Sequence, residues 1–193
     1  MQMLRIAAVI LFVLKHISAN STANEAEKYD IIKFLNTTEK IWLYNTSATT
    51  RLFCRFDSNF QMNDTAVSFD KFYWHKKWAK KRFVGVLRSW DSAYKTGRLY
   101  DSMDVLTTDR RHKWVEILVY QNTESTCAVF RLMYTKDGKI KFSTELRVKN
   151  SAIDSGPDQN CSTEFQSYLE GRTPKQVYHP KCKNDTDLIG DAY

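Results

Sequence analysis

The sequence lacks the short motifs that mark the common catalytic and metal-binding classes. It contains no Gly-x-Ser-x-Gly, no His-Glu-x-x-His and no glycine-rich phosphate loop. No two cysteines are spaced as Cys-x-x-Cys, so no zinc site is predicted. The four histidines are scattered, at His16, His75, His112 and His179, and suggest no catalytic triad. We therefore predict a protein that is not an enzyme and that needs neither a metal nor a cofactor.

An apolar run long enough to span a membrane is also missing. The apolar stretch within residues 1–19, MQMLRIAAVILFVLKHISA, is too short to cross a bilayer as a stable helix. Arg5 precedes it and small residues end it, which is typical of a secretory signal peptide. We predict cleavage after Ala19, with Ala23 as the alternative. Residues 20–193 then form one secreted, extracellular domain that does not contact a membrane.

Charge of one sign is only moderately in excess. Removal of residues 1–19 takes two basic residues with it, so the formal net charge falls from +7 to +5. No nucleic-acid recognition motif is present, and an exported chain is not expected to bind nucleic acid. The most basic stretch, HKKWAKKR at 75–82, is interpreted as a solvated hairpin tip. A patch for an anionic polysaccharide or a cell surface is the less favoured alternative. We expect a monomer.

Cysteines and glycosylation sequons support export. An even number of cysteines in an exported chain predicts two disulfides, and three connectivities are possible. The cysteines are Cys54, Cys127, Cys161 and Cys182. Asn-x-Ser/Thr sequons predict N-glycans at Asn36, Asn45, Asn63, Asn160 and Asn184. A sixth sequon, at Asn20, lies too close to the predicted cleavage site to be counted with them.

Strand-like segments recur at regular spacing and are joined by short polar turns. Eight are predicted, near residues 40–47, 51–60, 66–76, 80–89, 97–107, 112–121, 126–135 and 139–148. This spacing is typical of an all-β sandwich or barrel. A short helix capped by Asp30 is predicted at 31–35. A second helix follows Gly156-Pro157, with Cys161, Phe165, Tyr168 and Leu169 on one face and Gly171 at its C-terminal cap.

The hairpin before the second helix carries information about the barrel interior. Its two strands meet at an Asp137-Gly138 turn. Side chains alternate across a strand, so a bond from Cys127 to Cys161 on the helix would turn Ala128, Phe130, Leu132 and Tyr134 inward. On the partner strand, either Ile140, Phe142 and Leu146 or Lys141, Ser143, Glu145 and Arg147 face inward. The second choice would place the carboxylate of Glu145 inside a cavity.

Aromatic residues are plentiful within the predicted strands. A closed barrel of eight antiparallel strands can hold one small ligand, in a cavity lined by aromatic side chains and a few polar groups. The predicted lining residues are Trp42, Tyr44, Phe72, Trp74, Tyr100 and Trp114. Glu116 shares a strand face with Trp114, Leu118 and Tyr120, and we include it. For any one of these residues, a plain place in the core is the commoner alternative.

These residues together resemble a known family, the histamine-binding group of the tick salivary lipocalins. The likeness covers the mature chain. It includes the first strand around Trp42, the CAVFRLMY strand, the Glu145-Leu146 pair, and the CSTEFQSYL helix with its downstream PKC. The resemblance implies an eight-stranded antiparallel lipocalin barrel, closed at one end by the N-terminal helix, with the C-terminal helix packed outside. It also implies the disulfides Cys54–Cys182 and Cys127–Cys161. Lys40 stands where the lipocalin Gly-x-Trp signature has glycine.

The resemblance implies a secreted salivary protein that sequesters host mediators of inflammation and haemostasis. Amine-binding members share a Cys-Asp-aliphatic run and a Glu-Leu-aromatic run. Here Ala128 replaces the Asp and Arg147 replaces the aromatic residue, although Glu145 matches. A buried ammonium needs carboxylates and an aromatic cage, so this change should weaken an amine site, although Glu145 alone or with Glu116 can still pair with an amine.

A carboxylate-bearing eicosanoid needs the reverse arrangement, an apolar tunnel that ends at an arginine or a hydroxyl group. Arg88, Arg98 and Arg147 are the candidates, and for each of them a solvated strand face is the commoner alternative. Two partner classes are therefore expected for the cavity, a biogenic amine by family default or a leukotriene-type eicosanoid. An inhibitor that binds a host protein such as complement through the barrel exterior is the alternative function.

Overall fold

The computed structural model describes residues 29–90, 99–109 and 113–184. The predicted signal peptide and cleavage sites, Asn20, Arg98 and His112 lie outside these residues. The helices are α1 (Ile31–Leu35) and α2 (Gln159–Ser167), and a 3-10 turn spans Pro180–Lys183. The strands are β1 (Ile41–Thr46), β2 (Phe53–Met62), β3 (Ala66–His75), β4 (Lys77–Arg88), β5 (Ser102–Thr107), β6 (Lys113–Gln121), β7 (Cys127–Lys136), β8 (Lys139–Lys149) and β9 (Lys175–Gln176).

Strands β1 to β8 close into an antiparallel barrel. Each strand from β2 to β7 pairs with the next along the chain, and β1 lies between β8 and β2. The seam between β1 and β2 is short, with two paired positions, Ile41 opposite Asp57 and Trp42 opposite Phe56. By contrast, β3 and β4 pair at ten positions. The predicted eight-stranded barrel is therefore confirmed.

Helix α1 closes one end of the barrel. Ile31, Phe34 and Leu35 are buried in an apolar cluster with strand side chains that point into the barrel, such as Phe69 and Phe130. The ring centroids of Phe34 and Phe130 lie 5.7 Å apart. The predicted cap is present, because the Asp30 carboxylate accepts a hydrogen bond from the Ile32 amide at 3.0 Å. These side chains fill the barrel interior beneath α1.

Helix α2 packs on the outside of the barrel, over β6, β7 and β8. Its buried residues Cys161 and Phe165 join Leu169 in a second apolar cluster on the outer face of the sheet. The disulfide Cys127–Cys161 fixes the helix to β7. The helix ends at Ser167, earlier than predicted, and Gly171 takes a positive φ of 78° beyond its end. Within the described residues, neither helix is long and apolar enough to cross a membrane.

The chain after α2 returns to the seam of the barrel, and the short strand that it forms there was not predicted. Strand β9 pairs with the outer edge of β1. Next to it, the Val177 carbonyl accepts from the Cys54 amide at 2.9 Å, and the Val177 amide donates to the Tyr44 carbonyl at 2.9 Å. The disulfide Cys54–Cys182 fixes this tail to β2. Both disulfide pairings implied by the family resemblance are therefore confirmed, and the tail bridges β1 and β2 where they diverge.

The basic stretch at 75–82 forms the end of the β3–β4 hairpin and most of its side chains are exposed, as predicted, although most of the stretch is strand. Strand β3 continues to His75 and β4 begins at Lys77, so the turn consists of Lys76 alone, with a φ of 63°. Along β4 the basic side chains alternate between faces. The Arg82 Nε donates to the Asp70 carboxylate of β3 at 2.7 Å. The stretch is therefore divided between the two surfaces of the sheet and forms no single patch.

Candidate functional site

A cavity of about 450 Å³ opens inside the barrel, at the end away from α1. Its lining residues lie on β2, β3, β4, β6 and β7, apart from Leu52 just before β2, and near the turns that join these strands. They are Leu52, Arg55, Lys71, Tyr73, Lys81, Phe83, Trp114, Leu132, Tyr134 and Thr135. The volume falls within the range of about 300–1,000 Å³ that is usual for sites of small organic ligands.

Apolar side chains form the walls of the cavity. Phe83 and Trp114 meet edge to face with their ring centroids 5.0 Å apart, and Leu132 lies beside them. Tyr73 and Tyr134 add two phenol groups to the lining. Among the described residues that line the cavity, the charged ones are all cations, namely Arg55, Lys71 and Lys81, and none is a carboxylate. The cavity therefore combines an apolar wall with positively charged and hydroxyl groups.

Carboxylates lie directly behind this lining, where each is bound to a cation of the chain. The guanidinium of Arg147 donates from Nη1 to Glu116 Oε2 at 2.6 Å. It also donates to Glu145 Oε2, from Nη2 at 2.6 Å and from Nε at 2.9 Å. The centre of the guanidinium lies 4.3 Å from the centroid of the Phe130 ring. Arg147 is 2 % exposed, so these contacts are made away from water.

Two lining cations join the same network. Arg55 Nη2 donates to Glu145 Oε1 at 2.5 Å, and Lys71 Nζ lies 2.8 Å from Asp57 Oδ2 and 3.4 Å from Glu116 Oε1. Three cations (Arg55, Lys71 and Arg147) thus face three carboxylates (Asp57, Glu116 and Glu145), and the network is formally neutral. Trp114 Nε1 adds a hydrogen bond to Glu116 Oε1 at 3.1 Å. Charges buried in this way are tolerated because they are paired.

The network keeps its carboxylates ionised. Burial by itself raises the pKa of Glu116, but the charges of Arg147 and Lys71 outweigh it and hold that pKa far below its usual value. Burial likewise raises the pKa of Glu145, but Arg55 and Arg147 lower it to about 2. Burial lowers the pKa of Arg147, whereas Glu116 and Glu145 raise it well above its usual value. All three groups are therefore charged at neutral pH.

One buried donor in the lining is left without a protein partner. Within the described residues, Arg55 Nε has no hydrogen-bond acceptor, although Arg55 Nη2 binds Glu145. Buried polar groups are nearly always hydrogen-bonded, to protein or to another molecule. Arg55 can therefore give a further hydrogen bond to a molecule in the cavity.

The structure brings together three of the predicted site residues, Trp114, Glu116 and Glu145, with Trp114 in the lining and the two carboxylates behind it. The inward face predicted for β7 is confirmed, since Ala128 and Phe130 belong to the inner cluster and Tyr134 lines the cavity. Arg147 lies inside with Glu145, so the solvated position favoured for it is wrong.

Four predicted lining aromatics lie on the outer face of the barrel instead. They are Trp42, Tyr44, Phe72 and Trp74. The tail after α2 covers two of them, since the ring centroids of Trp42 and Tyr178 lie 5.1 Å apart and those of Tyr44 and Tyr178 lie 6.0 Å apart. Trp42 Nε1 also donates to Asn150 Oδ1 at 3.0 Å. These residues bury the outer surface of the sheet and do not reach the cavity.

Two further predicted residues lie near the closed end. The Arg88 side chain is 60 % exposed and its Nε lies 3.3 Å from Asp104 Oδ2, so it is on a solvated strand face. Tyr100 packs against the inner cluster beside α1, and its carbonyl accepts from the Ile31 amide at 2.8 Å. Neither residue lines the cavity.

Several lining residues were missed, chiefly Arg55, Lys71 and Lys81. The sequence of β3 is apolar on both faces, with Val67 and Phe69 on one and Phe72 and Trp74 on the other, so alternation alone could not show which face is inside. In β2, register shifts between Phe53 and Phe56 and between Ser58 and Gln61 interrupt the alternation. The available signal was the inward face of β7. The assignment of inward and outward faces could have been extended from β7 to each neighbouring strand in turn.

Comparison with known proteins identifies the fold that the chain shares with them. No protein-family model matches the chain, and no curated protein matches it by sequence. Among solved structures, AM182 in complex with serotonin superimposes with a TM-score of 0.61 at 16 % identity, covering 84 % of this chain and 97 % of that one. The possum milk whey lipocalin trichosurin with bound 4-ethylphenol gives 0.53 at 8 % identity, covering 77 % and 99 %. The fold is therefore that of the lipocalins.

A third similar structure is a variant of LTBP1 in complex with leukotriene C4. Its TM-score is 0.50 at 13 % identity, with 81 % of this chain and 92 % of that chain covered. Identities this low establish the shared fold and nothing finer.

Proposed function

We propose that the protein binds a small amphipathic anion, a carboxylate-bearing eicosanoid such as a leukotriene, inside the barrel. The observation that carries this proposal is the composition of the described part of the cavity lining, in which the charged side chains are cations and the walls are apolar. A fatty-acid carboxylate can accept hydrogen bonds from Arg55 and from the tyrosine hydroxyls, while its chain lies against Phe83, Trp114 and Leu132.

A biogenic amine fits the same cavity less well. The carboxylates that would hold its ammonium group, Glu116 and Glu145, are both bound by Arg147. An amine in the cavity would also face Arg55 and Lys71, which lie between it and these carboxylates. The default expected from the family resemblance, histamine binding, is therefore set below eicosanoid binding.

The structurally similar proteins support small-molecule binding in general. One was solved with serotonin, another with leukotriene C4 and a third with 4-ethylphenol. Together with the resemblance to tick salivary lipocalins, they support a protein that sequesters a host mediator and so suppresses host defence. Two disulfides are consistent with an extracellular site of action. We also propose that residues 1–19 are removed on export.

Four of the five sequon asparagines counted as glycosylation sites are exposed, which supports a glycoprotein. They are Asn36, Asn63, Asn160 and Asn184, whereas Asn45 is half-buried on β1.

A monomeric glycoprotein with an internal cavity needs no second protein to hold its ligand. The alternative function, inhibition of a host protein such as complement through the barrel exterior, would be favoured by a cavity filled with side chains. The open cavity favours the small ligand.

Isothermal titration calorimetry of the oxidised, glycosylated protein tests the proposal, with leukotriene B4, leukotriene C4, histamine and serotonin as ligands. We expect the leukotrienes to bind and the amines to be silent. Tight binding of an amine with silent leukotrienes would refute the proposal. Silence of all four ligands would also refute it and would favour the host-protein alternative.

Two neighbouring lysines on β4 provide a matched pair of variants. Lys81 lines the cavity, whereas Lys80 lies on the opposite face with its Nζ 3.9 Å from Asp70 Oδ2. Both side chains are exposed, so neither Lys81→Gln nor Lys80→Gln should disturb the fold. We expect Lys81→Gln to weaken leukotriene binding about 3- to 10-fold and Lys80→Gln to leave it unchanged. Equal effects of the two variants would place the anion outside the cavity.

A further inference from the structure

Arg147 occupies the position that a bound organic cation would take. Its guanidinium is held by two carboxylates, Glu116 and Glu145, at 2.6 Å each, and it stands against the face of Phe130 at 4.3 Å. Two carboxylates and an aromatic face are the groups by which proteins bind buried ammonium and guanidinium ligands. These groups here are complete and enclosed, and the cation they hold belongs to the chain itself.

The pairing within the network shows what would remain without Arg147. Glu145 would keep Arg55 at 2.5 Å, and Asp57 would keep Lys71 at 2.8 Å. Glu116 would keep only Trp114 Nε1 at 3.1 Å and the more distant contact with Lys71 at 3.4 Å. Three carboxylates would then face two cations, which leaves one negative charge in excess, beside a space the size of the missing side chain.

This space would adjoin the cavity. Arg55, Lys71 and Trp114 each line the cavity and each contacts a carboxylate that Arg147 binds. The Arg147 position is thus separated from the cavity by one layer of side chains. A small cation in the cavity would have to pass this layer, formed by Arg55, Lys71 and Trp114, to reach Glu116.

We propose that Arg147 is the specificity-determining residue of the barrel, an internal guanidinium that fills a site for a monovalent organic cation and so excludes amines. This inference deepens the proposed function and rests on it only in placing the ligand site in the barrel cavity. Its chemistry is simple ion pairing, with no covalent step. Replacement of Arg147 by a small neutral residue should open the site to an alkylguanidinium or an alkylammonium ion.

The experiment uses Arg147→Ala in the full mature protein, with ethylguanidinium and histamine as probes in isothermal titration calorimetry. Ethylguanidinium restores most of the atoms that the substitution removes. We expect the variant to bind ethylguanidinium at least about 100-fold more tightly than the wild-type protein does, because two charge-assisted contacts become available. We expect histamine to gain affinity in the same direction. Equal affinities of variant and wild type would overturn the inference.

A second variant separates the charge from the space. Glu116→Gln combined with Arg147→Ala leaves the same cavity but restores equal numbers of positive and negative charges. We expect this double variant to lose the gained affinity for ethylguanidinium. If the double variant binds the probe as tightly as Arg147→Ala, the gain comes from volume alone and the inference fails.

Arg147→Ala leaves a buried carboxylate unpaired and can therefore fail to fold on its own. In that case we expect about 10 mM ethylguanidinium chloride in the refolding buffer, a concentration on the order of the Kd of a weak site, to restore folding. Folding is measured by circular dichroism, and the same concentration of sodium chloride should not restore it. Failure of this rescue overturns the inference. Leukotriene binding by the wild-type protein is measured separately, so a failure of the proposed function and a failure of this inference are distinguishable.

Discussion

Replacing Glu145 by glutamine should destabilise the protein by about 3–5 kcal/mol, since it breaks a buried ion pair. Glu145 accepts three charge-assisted hydrogen bonds, two from Arg147 at 2.6 and 2.9 Å and one from Arg55 at 2.5 Å. Its side chain is 3 % exposed, so water cannot replace the lost charge. The amide of glutamine offers one acceptor oxygen, which can serve Arg147 or Arg55 but not both.

A control of the same chemistry is available on the surface. Glu170 also binds two arginines, Arg131 at 2.6 Å and Arg172 at 2.9 Å, but its side chain is 53 % exposed. Exposed ion pairs contribute about 0–1 kcal/mol, because water and salt compensate for their loss. Glu170→Gln should therefore have a small effect, although it removes the same number of charges and partners as Glu145→Gln.

Urea unfolding at pH 7, with both disulfides intact, measures the difference. With a slope of about 2 kcal/mol per molar urea, Glu145→Gln should lower the midpoint by roughly 1.5–2.5 M and Glu170→Gln by less than about 0.5 M. Both variants should keep the same slope, because neither changes the surface exposed on unfolding. Equal midpoint shifts would refute the reasoning that the burial of the network, and not the number of arginine partners, sets its energy.

Three further predictions follow from the same contacts. Lowering the pH from about 4.5 to about 2 should reduce the free energy of unfolding, because the pKa of Glu145 is 4.5 in its usual environment and about 2 in the folded barrel. The contribution of Glu145 to stability is therefore present above the first value and is lost as the pH falls through the second. Urea titrations should show a smaller loss in Glu145→Gln, and an equal loss would contradict the assignment. Gly85→Ala should cost about 1–3 kcal/mol in a thermal or urea melt, since the added Cβ would lie 2.5 Å from Met103 Sδ and that side chain must move; an unchanged melt would mean that the interior is not packed there. Removal of the Cys54–Cys182 disulfide by two alanine substitutions should lower the free energy of unfolding by about 2–5 kcal/mol and speed proteolysis of the tail after α2. A tail that stays resistant to proteolysis would show that its hydrogen bonds suffice to hold it on the barrel.

Much of the fold could be predicted from the sequence because the signals were local. The Asp137-Gly138 turn fixed the β7–β8 hairpin, and the alternation in CAVFRLMY identified its inward face. From that face the buried position of Glu145 followed as one of two stated choices. The helix cap at Asp30 was equally local, since an aspartate before an apolar run has few other uses.

The site could be predicted only in part because its geometry depends on distant pairings. Trp42 and Tyr44 look like cavity aromatics until the tail from beyond α2 covers them with Tyr178. Lys71 looks like a surface lysine until register places it opposite Asp57 in the neighbouring strand. Arg147 was recognised as a departure from the amine-binding pattern, but its role as a buried partner of Glu116 needs a contact across 31 residues of sequence.

The bridge that the tail makes between β1 and β2 also sets the order in which the barrel can be completed. Strands β2 to β8 can pair as each follows its neighbour out of the ribosome, but the bridge across the seam needs Val177 and Cys182. Cys54 and Cys182 are 128 residues apart, a length that takes on the order of ten seconds to synthesise. Until then β1 and β2 border an open sheet edge, and a chain with such an edge can pair with its neighbours. Newly made molecules are therefore most exposed to misassembly just before Val177 and Cys182 are added.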